Sequence, residues 1–298
     1  MANVAAKLLF LDVLRIVAAF LVVFWHVIAN LPDAFSSLKA TFWIYNIIVI
    51  NIGTIAVAVF FFVSGASLQY LHTNINSSNE LFSFYIKRFA RIYPTLWISV
   101  IIGLTIMRPD MNISINATKI ILSLSGIFVY FRVPVLNPWC WFLGVLILFY
   151  LLFPALSHIM EKHPYLSITG IMAISATSRY LLNVYPMYTN SDEWGMIDFL
   201  SPSNFPLGNL FNFSLGIFII RMGFYPRIVH NFKFLSFISA LTYPIFLIHG
   251  FLMGPYTYPL DIPIFIFKLV FLSIVLYILD RDIQKVISRR KVGTCSIH

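Results

Sequence analysis

Apolar runs at 14–28, 47–63, 143–153 and 262–279 approach or meet the length needed to cross a hydrocarbon core, and such runs recur along the whole chain. A fold in water has little room to bury so many of them in series. Inside a bilayer each segment must satisfy its own backbone hydrogen bonds, and runs of this length do so as helices. The chain therefore reads as an all-α, polytopic transmembrane helix bundle, one integral membrane domain over 1–298. Composition agrees, with 60% hydrophobic residues, 10% charged residues and a mean hydropathy of +0.87.

Candidate spans fall at 9–29, 47–71, 92–107, 117–131, 139–160, 166–183, 206–221, 235–253 and 262–280. Cations cluster between them: Lys87, Arg88 and Arg91; Arg221, Arg227 and Lys233; Arg281, Lys285, Arg289, Arg290 and Lys291. The positive-inside rule puts all three clusters in the cytoplasm. An even number of crossings must then separate each pair, so eight to ten crossings with both termini cytoplasmic are expected. Between Arg91 inside and Trp139 outside the count must be odd, yet two candidates lie there. The weaker, 117–131, is diluted by Ser123, Ser125 and Gly126 and is expected to be re-entrant or interfacial, the alternative being one further span. The polar stretch 183–204, carrying Asp192, Glu193 and Asp198, then lies outside with Asn112 and Asn116, as a solvated loop or as the mouth of a site.

The first run resembles a signal peptide, but Asp12 and Arg15 interrupt it and no small-residue cleavage pattern follows, so it is expected to be retained. Cys140 and Cys295 supply neither a disulfide framework nor metal-ligand spacing, and no metal is expected. The formal charge of +9 is accounted for by topology and anionic lipid, which argues against nucleic acid as a partner.

Ionisable groups inside such spans are expensive, on the order of 3 kcal/mol each on insertion scales, and are read as functional. In "RIVAAFLVVFWH" Arg15 and His26 bracket ten apolar residues. Their spacing brings them back to one helix face, about 16 Å apart along the axis. Asp12 stands three residues before Arg15 and can pair with it, although Arg15 could also be a snorkelling anchor. His26 has no such excuse, and a neutral imidazole there suits a general base.

In "FFFVSGASL" the small residues Ser64 and Gly65 allow close approach of a helix or a ligand. "YIKRFARIYPTLW" sets Arg88 and Arg91 at i and i+3, with Pro94 expected to open the next span. Guanidinium forks suit phosphate, although any cytoplasmic loop is basic. "WCWFLGVLILFYLLFP" is an aromatic entry at the interface followed by a span. "SALTYPIFLIHG" places His249 late in a span, as a structural imidazole or a second site group. His72 and His158, near span ends, call for no special role.

Taken together and in this order, these stretches resemble the integral membrane acyltransferase family three, the group of bacterial-type membrane O-acyltransferases that modify polysaccharides, lipopolysaccharide and antibiotics. Asp12, Arg15 and His26 match its opening signature. Phe61, Phe62, Ser64 and Gly65 match its Phe-Phe and Ser-Gly segment, and Arg88, Arg91 and Pro94 its Arg-x-x-Arg-x-x-Pro motif. Trp141, Phe142, Leu143 and Tyr150, then Tyr243 and His249, are similar to its later signatures. The glutamate that some members carry after Trp-Phe-Leu is absent, with Val145 and Leu146 in that region.

The resemblance implies O-acylation, acetylation first, with acetyl-CoA or another acyl-CoA as co-substrate. The acceptor would be a hydroxyl of a polysaccharide or glycolipid at the cell membrane, plasma or inner. It implies His26, Arg15 and Asp12 as catalytic residues. Arg88, Arg91, Ser64 and Gly65 would bind the donor, and Trp141, Tyr150, Tyr243 and His249 would line the substrate pocket. A different class, an exporter of a glycan or lipid intermediate with Arg15 and His26 as a buried relay, fits the same buried charges.

Overall fold

Helix boundaries fall where the sequence supplies capping chemistry. Asn51 and Asn116 accept hydrogen bonds from the Thr54 and Lys119 amides at 3.0 and 2.9 Å, closing the first turns of two helices. Pro164 and Pro206 begin two more, where a missing N–H loses no helical bond. Gly126 and Gly223, each at φ +72°, end two others in the left-handed conformation that glycine adopts without strain.

The computed structural model describes residues 7–31, 36–48, 51–72, 75, 77–106, 116–131, 137, 140–185, 201, 204–226, 228–230, 232–253 and 261–293. Among them run α1 (Leu9–Ala29), α2 (Ser36–Ile48), α3 (Ile52–Leu71), α4 (Ser78–Ile106) and α5 (Ala117–Ser125). After a short turn of tighter helix come α6 (Trp141–Lys162), α7 (Pro164–Val184), α8 (Pro206–Met222), α9 (Lys233–Leu252) and α10 (Asp261–Gly293). The fold is all-helical apart from one antiparallel pairing of two residues on each side, β1 (Lys7–Leu8) with β2 (Val229–His230). Five helices, α1, α3, α6, α9 and the 261–285 part of α10, are long and apolar enough to cross a membrane.

Side-chain contacts fix relative directions. Arg15 meets Ser67 while Trp25 packs on Gly53, so α1 and α3 are antiparallel. Arg15 meets Ser239 while His26 meets His249, so α1 and α9 are parallel. The β1–β2 pairing just before both helices holds their first turns at the same end. Phe60 and Phe61 pack on Phe142 whereas Gln69 bonds Ser157, so α3 and α6 are parallel. In α7, Ser175 and Arg179 reach Leu207 and Gly208 at the start of α8, making that pair antiparallel.

The core is the seam of α3, α6 and α8, filled by Phe61, Phe149, Phe153 and Phe213. It closes tightly because Gly65 and Gly216 let backbones touch. A Cβ on Gly65 would lie 2.1 Å from the Phe213 carbonyl oxygen, and one on Gly216 would lie 2.1 Å from that of Phe62.

One sequence expectation is corrected, and one open alternative is resolved. Pro94 does not open a span: α4 runs through it as one helix from Ser78 to Ile106. Proline deprives the Ala90 carbonyl of its helical donor, and the Gln284 side chain of α10 donates to that carbonyl instead at 2.6 Å. The candidate at 117–131 resolves into the nine-residue α5 and a three-residue turn. At about 14 Å, α5 is too short to cross. Trp97 and Tyr93 of α4 donate to the Leu124 and Ser125 carbonyls and hold α5 against the bundle. The acidic residues of 183–204 and the cations Arg227, Arg289, Arg290 and Lys291 lie outside what is described, or have undescribed side chains.

Candidate functional site

The N-terminal half of α1 carries a charge engaged from three helices. Arg15 donates through Nη1 to Asp12 Oδ1 at 3.3 Å and to Ser239 Oγ at 3.1 Å, and through Nη2 to Ser67 Oγ at 3.1 Å. Ser239 in turn donates to Asp12 Oδ1 at 2.6 Å. Three helices, α1, α3 and α9, thus aim one guanidinium. Asp12 is sealed at 6% side-chain exposure while Arg15 keeps 31%.

Further arginines act on the same group of side chains. Arg91 is exposed yet acts electrostatically on Arg15, Tyr150 and Tyr243. Arg88 is half-buried beneath it, its guanidinium 5.8 Å from the Phe84 ring centroid. Its Nη2 lies 3.4 Å from His72 Nε2, and its buried Nε has no partner. Burial, then Arg88 and Lys87, hold the His72 imidazole below its ordinary value of 6.5, which keeps the ring neutral and Nε2 able to accept. Tyr150 of α6 shares a hydrogen bond with Ser64 of α3 and feels all three arginines. Tyr243 donates to the Ile92 carbonyl at 3.0 Å and ties α9 to α4.

The outer half of the same α1 face is different in kind. His26 is half-buried, edge-on to Trp25 with ring centroids 4.7 Å apart, and 5.0 Å from the His249 ring. His249 is 1% exposed, with Nδ1 2.7 Å from the Phe246 carbonyl and Nε2 without a partner. Trp25 Nε1 and Asn137 Oδ1 are also buried and unpartnered.

The structure therefore brings Asp12, Arg15, Ser64, Arg88, Arg91, Tyr150 and Tyr243 to one level, and His26 with His249 to another. Gly65 is used up by its contact with α8. Trp141, at the start of α6, packs edge-on to Phe142, and no described contact joins it to the other predicted site residues. Sequence reasoning missed Ser67, Ser239 and His72. The two serines carried a faint signal as isolated hydroxyls in apolar spans. Among the described residues no group of three or more His, Cys, Asp or Glu side chains converges as metal ligands.

These features define a membrane protein whose helix bundle gathers arginines at one level and an imidazole pair at another. The family model described as an acyltransferase domain, Acyl_transf_3, matches residues 8–228, and the chain belongs to that family. It is a membrane acyltransferase. The match spans α1 to α8, so Ser239, Tyr243 and His249 on α9 lie beyond it. No curated protein and no solved structure matches the chain.

Proposed function

We propose that the protein is an O-acyltransferase of the cell membrane that moves an acyl group, acetyl by first choice, from acyl-CoA to a hydroxyl of a sugar-containing acceptor. The observation that carries this is the set of three arginines, Arg15, Arg88 and Arg91, that converges on Tyr150. Guanidinium groups in such a setting suit the phosphates of coenzyme A, and the unpartnered Nε of Arg88 is a donor waiting for an acceptor. Ser64 serves this donor site through Tyr150, and Gly65 by letting α3 and α8 close beneath it.

The separation of the two levels refines the roles. Arg15 and His26 lie about 16 Å apart along α1, beyond the reach of one side chain. Arg15, oriented by Asp12, therefore holds the donor rather than the reacting carbonyl. The donor's extended thioester arm covers the distance to His26. There His26 takes the proton of the acceptor hydroxyl as the oxygen attacks the thioester carbonyl, with His249 packed behind the His26 ring and Tyr243 at the donor level.

The same reading makes 1–298 a single membrane domain in which α4, α7 and α8 cross beside the five long apolar helices. The helices α1, α3, α4, α6, α7, α8, α9 and α10 then give eight crossings with both termini cytoplasmic. In support, His72, Lys162, Arg221 and Lys233 fall at the helix ends assigned to the inner face, and Lys87 and Lys285 lie in the parts of α4 and α10 nearer that face.

The test is transfer of radiolabel from acetyl-CoA into glycans or glycolipids of membrane vesicles, native against His26→Ala. Label that moves only with the native chain, at equal insertion, supports the reading. No label from acetyl-, succinyl- or longer acyl-CoA, with an unexported glycan accumulating in cells that lack the protein, would replace it with the exporter.

A further inference from the structure

The His249 ring is fixed more firmly than its burial alone requires. Nδ1 faces the carbonyl of Phe246 at 2.7 Å, and a carbonyl can only accept, so the ring proton sits on Nδ1. In the neutral imidazole this leaves a bare lone pair on Nε2. That atom is buried without a partner in a residue that is 1% exposed. An acceptor so placed needs a donor. Among the described residues the titratable group acting on the His26 ring is His249, and the two ring centroids are 5.0 Å apart at a 51° tilt. On its other side His26 stands edge-on to the Trp25 indole.

We infer that His249 sets the tautomer of His26: its bare Nε2 calls for an N–H from one nitrogen of the neighbouring His26 ring and so leaves the other His26 nitrogen bare. This is a positioning role, and it rests on His26 being the base. The chain of constraint runs from a backbone carbonyl, through a buried imidazole, to a half-buried one that an acceptor can reach. No substrate reaches His249 itself.

The proton inventory closes. The acceptor hydroxyl gives its proton to the bare His26 nitrogen while its oxygen forms a bond to the thioester carbon. The carbon–sulfur bond breaks, and the departing thiolate takes that proton from His26. The other His26 proton stays directed at His249 throughout, so the base returns in its starting tautomer.

The experiment is nitrogen NMR of protein labelled with [15N]histidine in lipid vesicles, the signals of His26 and His249 assigned with the single variants. The expected result is a His249 protonated at Nδ1 and a His26 in one tautomer. His249→Leu should convert His26 to a mixture of both and lower kcat about tenfold to a hundredfold, with the KM for the acyl donor unchanged. A proton on His249 Nε2, two His26 tautomers in the native protein, or an unaltered His26 signal in His249→Leu overturns the inference. Should His249→Leu fail to insert, the native signals alone still decide. A native protein that transfers no acyl group sinks the base reading instead, and the ring signals then decide the tautomer independently of it.

Discussion

One face of α1 holds two ionisable groups whose surroundings are opposites. Around Arg15 the polar groups form a closed set: carboxylate and two hydroxyls on three helices account for much of one guanidinium. Around His26 they form an open one, with His249 Nε2 and Trp25 Nε1 buried and unanswered. A charge inside a bilayer bundle must be matched by the protein before any substrate arrives, because an unmatched one is costly to hold. A neutral imidazole carries no such demand and can be left waiting for a hydroxyl. On the proposed reading, the inner level serves stability and binding together, and the outer level serves chemistry alone.

The sharpest way to break that comparison is to remove one member from each level. Asp12→Ala leaves Arg15 without its carboxylate, and breaking a buried pair costs about 3–5 kcal/mol. Both thermal stability in detergent and acyl transfer should collapse. His26→Ala should abolish transfer while leaving the melting temperature within a degree or two of native, because its ring makes no described hydrogen bond. Equal melting losses in the two variants would erase the distinction between the levels.

A smaller effect probes how far the closed character of the inner level extends. The Ala90 carbonyl, freed by Pro94, is answered by Gln284 at 2.6 Å. Gln284→Leu keeps the volume but orphans that carbonyl, for about 1–3 kcal/mol. The loss should appear as faster amide exchange around 88–96 in α4, with Arg88 and Arg91 less well placed and the KM for the donor raised. Unchanged exchange would mean that α4 tolerates its proline unaided.

The two levels are unequally legible in the sequence. The pairing of Asp12 with Arg15 follows from their i, i+3 spacing, and the shared face of Arg15 and His26 from helical periodicity. Ser67 and Ser239 are not legible as partners, because they meet Arg15 only through the packing of α1 between α3 and α9. Charge counting marks the candidate at 117–131 as surplus, but only the nine-residue length of α5 removes it. Pro94 misleads for a related reason. Local propensity reads a proline as a boundary, whereas a glutamine on α10, far along the chain, makes it tolerable inside a helix. Tertiary partners of this kind leave no mark on periodicity or local spacing.

The smallest expected effect turns on a third imidazole, which tests whether partnership rather than residue type separates the two levels. His72, at the end of α3, is held below its ordinary value of 6.5 by burial and by Arg88 and Lys87, and its Nε2 faces Arg88. The native state therefore resists the proton that the unfolded chain accepts. Stability is complete above about pH 6.5 and declines as pH falls from there through the lower native value. Protonated His72 also turns from acceptor to repelling neighbour and frees Arg88 from its hold. The fall in melting temperature between about pH 7.5 and about pH 5.5 should be smaller in His72→Gln, whose amide can still accept from Arg88 and does not titrate. An identical acid limb in both proteins would show that the inner imidazole is as uncommitted as the outer pair, and that the contrast between the levels lies in their depth alone.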